Sequence, residues 1–141
     1  MWTAKQTGDY IFVKAKHYCD DLTLCGYSDW DLPDIGELRS LIRGCPNTAL
    51  GSDSCNVQPG GCLDKSCNEG DLCVHCPDDD GPAGGCYWPD EMEGDCVWPW
   101  WTSSFVENHP SSVWSVRFSS GTVYEVGATA AGNKYQIRCV R

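Results

Sequence analysis

Hydrophobic and polar positions divide the chain into three stretches with different rhythms. In residues 1–44, Phe12, Val13, Ala15, Lys16, Tyr18 and Cys19 form an amphipathic segment that predicts a helix near residues 11–22. A second helix is better marked. Asp34 stands at an N-cap with Glu37 three residues on, the capping-box spacing, and Ile35, Leu38, Leu41 and Ile42 repeat at helical intervals until Gly44 offers a stop. From residue 98 onward the rhythm changes to alternation. Trp114, Val116 and Phe118 fall on one face, expected to be the core face, of a strand over 113–118. Ser119, Ser120 and Gly121 supply a turn, residues 122–126 return as the hairpin partner, and residues 135–140 are expected as a last strand. No repeat of solenoid or propeller period is present.

Between these stretches, residues 45–97 keep no sustained hydrophobic period. They hold Cys45, Cys55, Cys62, Cys67, Cys73, Cys76, Cys86 and Cys96 among Gly, Pro, Asp and Asn. Burial alone cannot order such a segment, so covalent bridges are expected to do much of that work. Eight cysteines allow 105 pairings, and spacing does not choose among them.

Composition narrows the picture. A chain of 141 residues fits one domain, and a 41% hydrophobic content that includes seven Trp and six Tyr is enough for a core. Eleven cysteines point to an oxidising compartment, hence to an exported or extracellular protein. The residues after Met1 lack the basic and apolar regions of a signal peptide, and no run approaches the roughly 20 apolar residues of a membrane helix. The module itself is therefore not expected to insert into a membrane. Ten basic against twenty acidic residues give a net charge of −10, which disfavours nucleic acid and sulfated polysaccharides as partners.

Several longer motifs lie outside this arithmetic. They are Tyr18-Cys19, Gly26-Tyr27-Ser28-Asp29-Trp30, Leu32-Pro33, the run from Gly36 to Cys45, Trp101-Thr102-Ser103-Ser104 and the terminal Ile137-Arg138-Cys139-Val140-Arg141. Together they resemble the Lcl C-terminal domain family, named for a collagen-like bacterial adhesin, over nearly the whole chain. The resemblance implies a single α+β domain over 1–141 of C-type-lectin-like fold, with two helices, a small twisted antiparallel sheet and a cysteine-rich insert at about 45–97. It also implies a disulfide from the first helix to the last strand, Cys19–Cys139, whose closed loop of over a hundred residues would stabilise the fold by about 4–5 kcal/mol in the chain-entropy account. Cys25 stands where the family has Ala or Gly, and Asp31 where it has Arg after the Asp-Trp pair. With Cys19 and Cys139 joined and the insert's eight cysteines paired among themselves, Cys25 is the candidate free or intermolecular thiol. Family members open with a longer strand, which implies a fragment of a longer exported protein.

The candidate chemistry sits in and beside the insert. Cys62, Cys67, Cys73, His75 and Cys76 are close enough in sequence to wrap a zinc ion, but disulfides are the favoured reading in an exported protein. Asp78, Asp79 and Asp80 concentrate carboxylates on a loop, where they could hold calcium or simply solvate a bridged segment. Tyr87, Trp88, Trp98 and Trp100 are candidate ligand-binding aromatics able to stack on sugar rings, while Trp30, Trp101 and Trp114 are expected in the core. His17, His75 and His109 have no nucleophile at motif spacing, and GxSxG, HExxH and phosphate-loop motifs are absent, so an enzyme is not expected. The formylglycine-generating enzymes, distant fold relatives of the family, have an extended cleft that this chain is too short to build. The expected function is extracellular or cell-surface adhesion toward a glycan or protein ligand, with the insert as the ligand-facing surface. Self-assembly into a surface layer or fibre through Cys25 is the alternative.

Overall fold

The computed structural model describes residues 1–4, 6, 8–74 and 76–141. Phe12, Ala15 and Cys19 recur at intervals of three and four, and they are the buried stripe of α1 (Phe12–Asp20). Val13 points to solvent. In α2 (Ile35–Arg39) the capping box forms as its spacing predicts. Asp34 Oδ1 accepts from the Glu37 amide at 2.7 Å, and Glu37 Oε2 accepts from the Asp34 amide at 2.9 Å. The α-helix ends at Arg39, short of Gly44. Beyond it, Leu41 and Ile42 donate to carbonyls three residues back, and the Arg43 amide is drawn off to the Tyr87 carbonyl at 3.1 Å.

Three antiparallel strands, β1 (Trp100–Val106), β2 (His109–Arg117) and β3 (Thr122–Gly127), form one sheet in chain order. The fold is thus α+β. Pairing runs in register from Ser112 opposite Gly127 to Arg117 opposite Thr122, while β1 meets β2 with irregularities around Phe105. The expected hairpin is present and longer than the alternation showed. The expected last strand is not. Residues 135–140 are extended but make single bridges to unrelated partners, Tyr135 to Tyr10, Gln136 to Trp100, and Val140 to both Trp2 and Asp31. A segment that changes neighbours at each step ties the domain together but cannot join one ladder.

Both faces of the sheet are covered. Trp100, Val106, Trp114, Val116, Phe118 and Val123 belong to one cluster with Ile35, Leu38, Leu41 and Ile42 of the α2 region and with much of the insert. Trp101, Val113 and Val126 belong to the other, with Phe12, Ala15, Trp30, Leu32 and Ile137. Trp30, Trp101 and Trp114 are core residues, at most 2% exposed.

Five disulfides join Cys19 to Cys139, Cys45 to Cys76, Cys55 to Cys73, Cys62 to Cys67 and Cys86 to Cys96. Cys25 is unpaired and exposed. It sits at φ +54° in a two-residue turn with Gly26, where Leu24 and Tyr27 exchange backbone hydrogen bonds of 2.9 and 3.0 Å.

The insert is more than a decorated loop. Thr48, Val57, Cys55 and Cys73 are at most 1% exposed, and the Arg39 side chain enters among them with no exposure of its own. Its Nε donates to the Thr48 carbonyl at 2.9 Å, Nη1 to Val57 at 2.5 Å, and Nη2 to Ala49 at 2.8 Å and Cys55 at 2.9 Å. Burial pushes the guanidinium down to about 10, still far above neutral, so the group stays cationic. One buried fork thereby satisfies four carbonyls of a segment with no regular structure.

Candidate functional site

The aromatic set proposed for ligand contact divides on burial. Tyr87, Trp88 and Trp100 are 3%, 2% and 0% exposed, which corrects their assignment as surface residues. Trp88 lies edge-on to Trp100 with ring centroids 5.9 Å apart and packs on Phe118 at 5.5 Å, and the Tyr87 hydroxyl donates to the Pro77 carbonyl at 2.8 Å. These rings form the apolar seal between insert and sheet. Trp98 differs, with 53% of its surface exposed.

Trp98 walls a groove of about 530 Å³ with Pro99, Asp78, Arg117, Ser120, Thr122, Tyr124 and Tyr135. Four separate segments meet there. Asp78 comes from the insert, Trp98 and Pro99 from the link between Cys96 and β1, Arg117 to Tyr124 from the β2–β3 hairpin, and Tyr135 from the carboxy-terminal segment. The hairpin turn is anchored to the insert, because Cys76 and Asp79 amides donate to the Ser120 and Ser119 carbonyls, each at 2.8 Å. Gly121, at φ +63°, brings the turn so close to the Cys45–Cys76 bridge that a Cβ would lie 2.9 Å from Cys45 Sγ. Pro99 is held by its carbonyl, which accepts from the Gln136 amide at 3.0 Å.

The chemistry of the groove is mixed. Arg117 Nε donates to the Val97 carbonyl at 2.9 Å, which orients the guanidinium beside Trp98. Ser120 and Thr122 hydroxyls share a hydrogen bond of 2.8 Å. Burial pushes the Tyr124 phenol up to about 12 and raises Tyr135 as well, so both keep their protons and can donate. Tyr135 in turn rests on Trp101 with centroids 4.7 Å apart, a rigid backing for an exposed wall. An exposed indole flanked by hydroxyls, one carboxylate and one guanidinium suits a polyhydroxylated ligand with apolar CH faces. Arg117, Tyr124 and Tyr135 were not singled out from the sequence, although Arg117 and Tyr124 alternate away from Val116 and Val123, on the other side of the sheet.

The acidic triplet does not converge. Asp78 faces the groove, Asp79 takes φ +57° to bond back to the hairpin, and all three carboxylates are exposed. Among the described residues, the group whose ligand atoms lie within 4.8 Å of one another is Cys62, Asp64 and Cys67, and both thiols there are joined as a disulfide. The expected calcium site at Asp78, Asp79 and Asp80 therefore lacks a shared centre for the ion. The zinc reading loses its thiolates, since Cys62, Cys67, Cys73 and Cys76 are all bridged, and His75 lies outside the described residues.

His109, Ser112 and Glu125 do come together on the sheet surface. Ser112 Oγ and Glu125 Oε2 both contact Nδ1 of His109, at 3.2 and 3.1 Å, so the two ring nitrogens are not divided between hydroxyl and carboxylate as a relay requires. Glu125 also pairs with Lys65 at 2.6 Å. Among the described residues, no helix is long and apolar enough to cross a membrane.

The family model described as Lcl C-terminal domain matches residues 1–141. No curated protein and no solved structure matches the chain.

Proposed function

The chain belongs to the Lcl C-terminal domain family, and on that premise we propose that it is the recognition module of an exported, cell-surface adhesion protein, binding glycans through the groove beside Trp98. The observation that carries this reading is the half-exposed Trp98 ring in a groove with Tyr124, Tyr135, Arg117 and Asp78. Five disulfides support residence in an oxidising compartment. The two helices, the antiparallel sheet and the bridge from α1 to the last segment support a C-type-lectin-like architecture. The sugar ring would lie on Trp98, with its hydroxyls toward Asp78, Thr122 and the tyrosines, and a protein ligand would use the same aromatic anchor. Catalysis forms no part of this reading.

A glycan array with the oxidised protein tests it, followed by titration of the best ligand against Trp98→Ala and Tyr135→Phe. Trp98→Ala should weaken binding by about tenfold or more, the worth of one stacking aromatic, with the circular dichroism spectrum unchanged. A blank array, or a ligand indifferent to Trp98→Ala, refutes the groove. One observation favours a second reading, assembly between copies: the exposed Cys25 at the tip of its turn. A covalent dimer on non-reducing gels that disappears in Cys25→Ser would favour it.

A further inference from the structure

A second cleft, of about 600 Å³, lies where the amino-terminal segment meets the loop leading to Cys96. Trp2, Leu41, Pro89 and Met92 give it apolar walls, Glu91 and Glu93 stand at its exposed margin, and Arg138 lines it from within. Arg138 is only 5% exposed, carried between the fully buried Ile137 and Cys139. Its guanidinium lies over the Trp100 ring at 5.4 Å. Nη1 donates to the Thr3 carbonyl at 2.9 Å and Nη2 to the Glu93 carbonyl at 2.5 Å. Nε is buried and has no hydrogen-bond partner among the described residues.

This arrangement is unbalanced in a specific way. Among the described residues no carboxylate lies within salt-bridge distance of Arg138, although two stand at the mouth of the same cleft. The Glu93 carboxylate acts on this buried cation only from beyond salt-bridge distance, and a ligand carboxylate at the edge of the guanidinium that lines the cleft would supply the missing direct contact. A simple anion would first have to pass Glu91 and Glu93. A simple amine would satisfy those two, draw Glu93 away from Arg138 and leave the guanidinium without a direct anionic contact. Apolar walls ask for a hydrocarbon body, and the volume falls in the usual range for small-molecule sites.

We propose that this cleft binds a free amino acid with an aliphatic or aromatic side chain, its carboxylate toward Arg138, its ammonium toward Glu91 and Glu93, and its side chain among Trp2, Leu41 and Met92. The site is separate from the groove beside Trp98 and shares no residue with it.

Calorimetric titration of the intact, oxidised protein tests the proposal, with L-phenylalanine and L-leucine as probes. Hydrocinnamate, which lacks the ammonium, and phenethylamine, which lacks the carboxylate, serve as half-ligands. Both amino acids should bind, and each half-ligand should bind about tenfold more weakly or worse, the value of one charged hydrogen bond. Arg138 is too buried for its substitution to be a clean test, so the variants are placed at the rim. Ala4→Trp, at an exposed lining position, should block the cleft and abolish binding. Glu91→Gln with Glu93→Gln should weaken phenylalanine and bring it level with hydrocinnamate. Trp98→Ala should leave amino-acid binding unchanged, which separates this site from the glycan reading. No heat from either amino acid up to about 10 mM, equal affinity for a half-ligand and phenylalanine, or full binding by Ala4→Trp would each overturn it.

Discussion

Arg39→Ala removes the single donor group shared by four carbonyls, those of Thr48, Ala49, Cys55 and Val57. A buried carbonyl stripped of its partner costs about 1–3 kcal/mol, so four set an upper limit of roughly 4–12 kcal/mol. Water entering the space left by the side chain recovers part of that, and the Cys45–Cys76 and Cys55–Cys73 bridges still hold the segment near its place. A net loss of about 3–5 kcal/mol follows, comparable to breaking other buried charged networks and a large share of a small domain's stability. Urea denaturation under non-reducing conditions reads this as a fall in midpoint of about 2 M for a typical slope. Arg39→Lys sharpens the test. An ammonium offers three donors from one point and cannot span carbonyls spread over residues 48–57, so it should recover less than half of the loss. A midpoint shift below about 0.5 M in Arg39→Ala would show that the carbonyls find other partners. Full recovery by lysine would show that charge, not the planar fork, is what the insert needs.

Trp88→Ala should destabilise by about 3–5 kcal/mol, seen in the same denaturation assay, while folded protein keeps its affinity for any ligand of the Trp98 groove; lost affinity with unchanged stability would refute the buried placement. Gly121→Ala should cost about 1–3 kcal/mol, because the residue has φ +63° and its Cβ would meet Cys45 Sγ at 2.9 Å, and thermal melting will show it. For Glu125, desolvation acts to raise the carboxyl, but hydrogen bonds from Lys65 and His109 outweigh it and leave the pKa below the usual value of 4.5. Its contribution is therefore present above about pH 4.5 and lost as pH falls through the lowered value. Glu125→Gln should flatten that acid limb of the stability profile, and an unchanged limb would assign it to other carboxylates.

What could be read in advance was local. The α2 capping box depends on residues three apart, and the β2–β3 hairpin on an alternation interrupted by a turn, so each was visible without the rest of the fold. The first strand was not, because Trp100 and Trp101 face opposite cores, the polar Thr102 and Ser104 are buried and Phe105 is exposed, so residue type there does not track burial. The same ambiguity placed Trp88 and Trp100 among the candidate surface rings. Residues 45–97 looked unable to order themselves by burial alone, and with their bridges in place Val57, Tyr87 and Trp88 complete one core, since a bridged chain can pack without periodicity. In the groove, Trp98 and Asp78 stood out by type, whereas Arg117, Tyr124 and Tyr135 joined them through contacts between segments distant in sequence.

The meeting of the chain's two ends has a mechanical meaning for a module that holds on to something. Met1 N contacts the Arg141 carbonyl at 2.5 Å, Trp2 bridges Val140, and the Thr3 amide donates to the Cys139 carbonyl at 3.0 Å. Tension applied across these ends peels the pairs apart one at a time, a soft mode, until the load reaches Cys19–Cys139. There it stops, because the covalent bond carries the force across the base of the domain. Within residues 1–141 about twenty lie outside that link, and these extend by at most roughly 70 Å. The sheet, the insert and the groove beside Trp98 stay off the load path, so a ligand held there would be pulled upon without its binding site being stretched, whereas the cleft walled by Trp2, Thr3 and Ala4 opens with the first pairs.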